Sequence, residues 1–510
     1  MTESSKRIAH NTVALYVRTF VLLIISLYTS RVVLATLGVT DFAIYNLVGQ
    51  FILTFSIVTG TLTIASQRFI TFEIGKPDGD VSKVFSTSLN IHAMAAGVII
   101  LLCEGIGYWY IHNGLNIPSE RTSAAMWLFQ CSLIVLLLQF LSIPYTAIII
   151  AYEHISAFAY IAVGESVLKL VAVLLLPHLY GDALIIYALL SVGIAIIIRI
   201  SYSIYCNRKF PHISYRAIID SVTFQDMFKF MGWNIFGNTA NVVSRQLIDL
   251  LLNGFFVLSV NAARGIAGQV ENAVMNFCRN IPMAFNPQIT KAYAIEDYKN
   301  MISLIIRGAK FCFFLFLLPS IPIIFETQYV LRFWLEEYPD HTVSFVRLAL
   351  INCMIISVGI TTDTAIFATG RIMAFQLIVG ILQLLIYPIT WMFFCKGYAP
   401  ESCYIISIVI YVFITVIKVY IAHKRISHSF MSRFFQQAVI RIFYVTILSL
   451  LTSLILYYLL HENLSWTMEL FFFGAGSVLL TIAVVWGIGM TRDERSFFIN
   501  KLRRKRNIES

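Results

Sequence analysis

The sequence predicts an all-α polytopic membrane protein: about fourteen transmembrane helices, six and then six more in parallel pseudo-repeat, plus two C-terminal helices. Three observations predict it. Of 510 residues, 58% are hydrophobic and only 13% charged, against about 25% charged in soluble domains. Apolar blocks long enough to cross a bilayer, which takes roughly 20 residues, recur from end to end. The lysines and arginines fall on alternate loops, as the positive-inside rule requires.

Taken in order, apolar blocks bounded by charged or Gly/Pro/Asn clusters give fourteen helices, at 10–37, 42–66, 84–112, 122–148, 155–177, 183–205, 227–256, 260–288, 305–331, 343–367, 372–395, 402–422, 438–460 and 467–490. The first block lacks a small-residue cleavage site and carries Arg18 and Arg31, so it reads as a retained helix rather than a signal peptide. With the N-terminus cytoplasmic, the inside segments collect Lys6, Arg7, Arg68, Lys76, Lys83, Arg208, Lys209, Arg216, Lys291, Lys299, Arg307, Lys310, Arg371, Lys424, Arg425 and Arg433. The outside loops hold little beyond Arg121 and Lys396, and the loop from Trp334 is acidic. Both termini are therefore expected in the cytoplasm.

The net charge of +10 is mostly this topology. The basic tail reads as a contact for anionic membrane lipids rather than nucleic acid. Eight cysteines without a C-x-x-C pair, and scattered histidines, imply no disulfide framework, metal site or cofactor. No P-loop or nucleophile elbow appears, and the polar connections are too short for a catalytic module. The chain is not expected to be an enzyme.

An internal repeat orders the spans. A shift of 219 residues lays Gly49-Gln50 over Gly268-Gln269 and Ile70-Thr71 over Ile289-Thr290, which matches helix 2 to helix 8 in the same direction. The expected organisation is an N-lobe at 1–205, a cytoplasmic linker at 206–226, a C-lobe at 227–422, two extra helices at 423–490 and a basic tail at 491–510.

A cation at the bilayer centre costs about 2.5 kcal/mol or more and so faces protein or an aqueous cavity. Arg18 and Arg31 lie in helix 1, Lys169 in helix 5, Arg245 in helix 7, and Arg264 and Arg279 in helix 8. Helices 3, 4, 10, 11, 13 and 14 have almost none well inside. Helices 1, 5, 7 and 8 are thus expected to surround a polar space. Glu165 with Lys169, and Arg245 with Asp249, are four residues apart on one helix face; each reads as a neutralised structural pair or as an ion-coupling site, because a buried carboxylate has a movable pKa. Arg264 and Arg279, without an adjacent acid, fall in one stripe of helix 8 with Gly268, Glu271, Met275 and Pro282. Arg31 projects away from Arg18, so either helix 1 bends or Arg31 snorkels to the interface. Asn46, Gln50, Asn234, Asn238, Asn241, Asn272 and Asn276 either glue helices or line the cavity for hydroxyl-rich ligands. Glu271 either neutralises an arginine or carries a coupling proton. A cationic cavity in a bilayer suits an anionic lipid-linked substrate, whose phosphates bind arginine forks.

The run from Asn11 to Gln50 also resembles the start of the Wzx-type polysaccharide flippases, transporters of O-antigen and capsule repeat units. The shared pattern is Tyr28, Ser30, Arg31, Leu34, Leu37, Gly38, Asp41, Phe42 and Tyr45, with Ala43 where glycine is common. The resemblance implies the multidrug/oligosaccharidyl-lipid/polysaccharide exporter superfamily, with two six-helix lobes around a central cavity, alternating access and lipid-linked oligosaccharide as substrate. It also implies the bacterial inner membrane and, as partners, polysaccharide polymerase or assembly proteins. Lipid II flippases and cation-coupled multidrug exporters of the same superfamily are the alternatives; a glycan polymerase or ligase would be expected to show larger outer loops.

Overall fold

The computed structural model describes residues 3–53, 55–109, 111, 118–217, 220–278, 280–335, 337–461, 466–492 and 494–496. All of its long elements are helices. The first, α1 (Glu3–Leu53), runs through a kink at Gly38, whose φ of 76° and ψ of 171° are non-helical and suit a residue without Cβ. There follow α2 (Ser56–Gly75), α3 (Val81–Trp109), α4 (Thr122–Ala151), α5 (Ile155–Leu175), α6 (Ala183–Lys209) and α7 (Ser221–Phe255). The second half has α8 (Leu258–Cys278), α9 (Asn280–Ala294), α10 (Tyr298–Phe325), the short α11 (Thr327–Leu335), α12 (Thr342–Ala368), α13 (Met373–Cys395) and α14 (Ser402–Arg425). A short α15 (Phe430–Phe434) leads through a π turn to α16 (Ile440–His461), and α17 (Trp466–Val484) runs on into a second π turn, Val485–Gly489.

Ten helices among the described residues are long and apolar enough to cross a membrane, so this is a multi-pass membrane protein. The expected first, second, seventh and eighth spans, which supply α1, α2, α7, α8 and α9, fall outside those ten. They are the ones richest in polar and charged residues. The expected second span is two helices, with the chain turning at Phe55 between α1 and α2.

The repeat extends over the whole of both lobes. The segment of α1 beyond Gly38 and α8 begin 219 residues apart, at positions 39 and 258. Their continuations α2 and α9 end 219 apart, at Gly75 and Ala294, and α6 and α14 start 219 apart, at Ala183 and Ser402. The corresponding pairs are α3 with α10, α4 with α12, and α5 with α13.

The chain divides into two compact units, Lys6–Ile235 and, apart from the first five residues, Phe236–Ser510. In the first unit α4 is the hub, packed on α2, α3 and α6, and in the second its counterpart α12 packs on α8, α9, α10 and α14. Small residues let these helices approach. A Cβ on Gly107 would overlap the Phe129 ring of α4, and one on Gly308 of α10 would lie 2.5 Å from Thr361 Cγ2 of α12. Thr361 Oγ1 also donates to the Ile305 carbonyl at 3.0 Å.

The helix starts are fixed by capping carboxylates, which accept the otherwise orphaned first N–H groups. Asp182 takes the N–H groups of Leu184 and Ile185, Asp297 that of Asn300, and Asp220 both the N–H and the hydroxyl of Thr223, at 2.9 and 2.6 Å. Those Thr223 bonds, with Lys83 at 3.0 Å, hold the Asp220 carboxyl down to about 2. At the same end as Asp182, Arg121 forks between Asp41 and Asp182. Arg121 is therefore no stray outer-loop charge but a clamp tying α1, α4 and α6 together. The second unit carries a related pair, His341 Nδ1 with Glu401 Oε1 at 2.6 Å, where α12 and α14 begin.

Candidate functional site

The polar residues of the second unit gather on α7, α8 and α14. Asn241, Arg245 and Asp249 recur every four residues, one per turn, and share a face of α7. The chain reverses at Phe256–Val257 into α8. Asp249, near the end of α7, meets Arg264, near the start of α8, at 2.5 Å. One turn deeper, Arg245 Nη2 meets Glu271 Oε1 at 3.2 Å.

This corrects two expectations. Arg245 and Asp249 are not paired along their own helix; each reaches across to α8. Arg264 is likewise not without an acid. The reason is geometric: a partner on α8 can be met head-on, whereas an i,i+4 pair requires both side chains to lie flat along one helix and gains only about 0.2–0.5 kcal/mol.

The α14 face completes the cluster. Arg264 Nη1 lies 3.5 Å from Cys403 Sγ, and its guanidinium sits 5.3 Å from the centre of the Tyr404 ring, a cation–π contact. Asn241 Nδ2 donates to the Tyr411 hydroxyl at 2.9 Å. Both phenols are within electrostatic reach of Glu271. Glu271 is buried, whereas the Arg245 side chain is 47% and that of Asp249 57% exposed. A guanidinium has five N–H donors in a planar fork, so the exposed part of Arg245 can take a further anion while Glu271 holds it in place.

In the first unit the Arg18 guanidinium lies 4.6 Å over the Phe158 ring, within electrostatic reach of Glu165 and Tyr202. Glu165 pairs with Lys169 at 2.6 Å, as expected of that spacing. Arg18, Glu165 and Lys169 are thus brought together, on α1 and α5. Asn46 is exposed and donates to the Phe42 carbonyl one turn back. Asn234 is buried, Asn238 and Asn241 are half-buried, and Asn272 and Asn276 are exposed. Arg279 and the side chains of Arg31 and Gln50 lie outside the described residues, so the α8 stripe is described from Arg264 through Gly268 and Glu271 to Met275.

Polar pairs also lie outside the helices singled out for their cations. Lys418 of α14 pairs with Asp363 of α12 at 2.8 Å, and Glu104 of α3 accepts from Gln130 of α4 at 3.0 Å. The repeat held a signal for the first pair: Lys418 lies 219 residues after Arg199, whose guanidinium stacks 4.1 Å from the Tyr145 ring. Cations recur there at one position in both lobes.

No protein-family profile matches the chain, and no curated protein is similar to it in sequence. Solved structures do share its fold. A MATE transporter in the bent conformation aligns at a TM-score of 0.71 and 12% identity, over 85% of this chain and 97% of its own. An outward-facing multidrug resistance MATE transporter of the MOP superfamily aligns at 0.69 and 12%, over 83% and 96%. A MOP superfamily transporter from Pyrococcus furiosus, described by a binding pocket of reversed polarity suggesting a different function, aligns at 0.67 and 12%, over 85% and 97%. The chain has the fold of the MATE transporters.

Proposed function

We propose that the protein is a secondary transporter that turns an undecaprenyl-pyrophosphate-linked oligosaccharide from the cytoplasmic to the periplasmic leaflet, by alternating access, for surface polysaccharide biosynthesis. The observation that carries this reading is Arg245: a guanidinium held by the buried carboxylate of Glu271, on a side chain that is 47% exposed, beside a second arginine, Arg264, on the neighbouring helix. A fork positioned by a carboxylate suits bidentate recognition of phosphate. The amides of Asn241, Asn272 and Asn276 supply donors and acceptors for sugar hydroxyls. The likeness of residues 11–50 to the Wzx-type flippases supports the same substrate class, and the Pyrococcus furiosus transporter, whose reversed pocket polarity is described as suggesting a different function, shares the fold. The bacterial inner membrane, cytoplasmic termini and cooperation with a polysaccharide polymerase belong to this proposal.

The second reading is a cation-coupled multidrug exporter. Asp249 favours it, because a carboxylate with more than half its side chain exposed could meet a cationic drug. The two readings part on charge. Replacing Arg245 or Arg264 by glutamine abolishes surface glycan at unchanged protein abundance if the arginines hold pyrophosphate. Loss of protein would assign them to folding, and normal glycan would reject the proposal. Glu165→Gln and Asp249→Asn report on coupling: a changed dependence of transport on the ion gradient places it there, and an unchanged one rejects it.

A further inference from the structure

A second charged cluster lies away from α7 and α8, where the end of α17 returns to α10. Lys310 of α10 and Glu494 are both nearly fully buried, and the lysine Nζ lies 2.9 Å from each carboxylate oxygen. The Thr491 N–H donates to the same carboxylate at 2.8 Å, and Arg307, one turn before Lys310, lies 3.8 Å from it. Arg441, at the start of α16, is within electrostatic reach of Lys310. Arg495 follows Glu494 and donates to the carbonyls of Gly487 and Met490.

Among the described residues, Glu494 is the one acid drawn into this group of four cations. Two of the donors are also left over: Arg441 Nη1 and Arg495 Nε are buried without a hydrogen-bond partner. Buried polar groups are ordinarily satisfied, and an unmet guanidinium N–H in a surplus of positive charge calls for an anion. Arg307, Arg441 and Arg495 remain partly exposed, so the anion can enter. The cluster lies where α16 begins and where the chain runs on from α17, beside the first half of α10.

We propose that this cluster binds the phosphate of an anionic lipid, with Glu494 as an internal ligand that fixes Lys310 and with Arg307, Arg441 and Arg495 closing on the headgroup. The site is built into the junction of α10, α16 and α17 from residues up to Arg495. A lipid bound there bridges the two C-terminal helices to their lobe. Two sources offer such a phosphate, a bulk acidic phospholipid or a polyprenyl pyrophosphate.

The test is thermal unfolding of the full-length protein in nanodiscs of phosphatidylcholine alone, with added phosphatidylglycerol, or with added undecaprenyl pyrophosphate, together with the lipids retained in native mass spectrometry. Wild type is expected to melt higher, and to retain lipid, with at least one anionic addition; which addition acts identifies the source. Arg307→Gln combined with Arg441→Gln loses that upward shift, whereas Arg307→Lys with Arg441→Lys keeps most of it. A chain ending at Ser496 keeps it in full. No upward shift for wild type, an undiminished shift in the glutamine variant, or loss of the shift on removing the tail each overturns the proposal.

Discussion

The pair between Asp363 and Lys418 offers the sharpest test of how this bundle is held together. Lys418 runs along α12, its Cδ 3.2 Å from where a Cβ on Gly359 would stand, and its ammonium reaches Asp363 one turn further on at 2.8 Å. Its side chain is only 11% exposed. Asp363→Asn keeps the shape but leaves that ammonium without a counter-charge, and removing one partner of a buried pair costs about 3–5 kcal/mol. Lys418→Met should cost a similar amount by stranding the carboxylate. The double variant Asp363→Leu, Lys418→Met removes both charges, and such replacements are often neutral or stabilising. Its stability should therefore lie within about 1 kcal/mol of wild type, far from the sum of the singles. Reversible denaturant titration in mixed micelles measures all four proteins. Single variants within about 0.5 kcal/mol of wild type, the range of ordinary surface substitutions, or an additive double variant, would refute the reasoning.

Three further outcomes follow from the same geometry. Gly308→Ala places a methyl 2.5 Å from Thr361 Cγ2 and should destabilise by about 1–3 kcal/mol, part of which Thr361→Ser restores in the same titration. Arg121→Gln removes the fork between Asp41 and Asp182. Burial raises the Asp182 carboxyl, but Arg121 and the α6 N–H groups more than offset it and leave it below its ordinary value. This stability is present above the unfolded pKa of about 3.9 and lost on acidification, so the melting difference between wild type and Arg121→Gln should shrink as pH falls below about 4. The Asp220 carboxyl should titrate near 2 by carboxyl-detected NMR, and Thr223→Ala should return it toward its ordinary value. Its contribution to the start of α7 is full above the unfolded pKa and fades as pH falls toward 2.

Much of this architecture is legible in the residues because hydrophobic length is a local property. A block such as Ala183–Lys209 declares its span without reference to any neighbour, and its Asp182 cap declares where the helix starts. The repeat is legible too, since Gly49-Gln50 and Gly268-Gln269 carry the 219-residue register that the helix limits follow. Partner choice is not local. Helical periodicity puts Arg245 and Asp249 on one face, but nothing in it says that Glu271 and Arg264 stand opposite and pair with them instead. The same limit hid the pairing of Asp363 with Lys418, 55 residues apart on different helices. Lys310 with Glu494 was harder still: the lysine reads as an inner-loop charge and the glutamate as part of the tail, until α17 brings the chain back to α10.

Transport itself is the most direct measure of the central claim. The purified protein is reconstituted with a labelled undecaprenyl-pyrophosphate oligosaccharide, and the label's protection from an added glycosidase is followed over time beside the movement of a cationic dye under the same gradients. The glycolipid is expected to cross and the dye to stay behind. Arg245→Gln is expected to slow crossing about tenfold or more, the equivalent of one lost charge-assisted hydrogen bond at about 1.5–3 kcal/mol. Movement of the dye with no crossing of the glycolipid would contradict the claim and assign the chain to drug export.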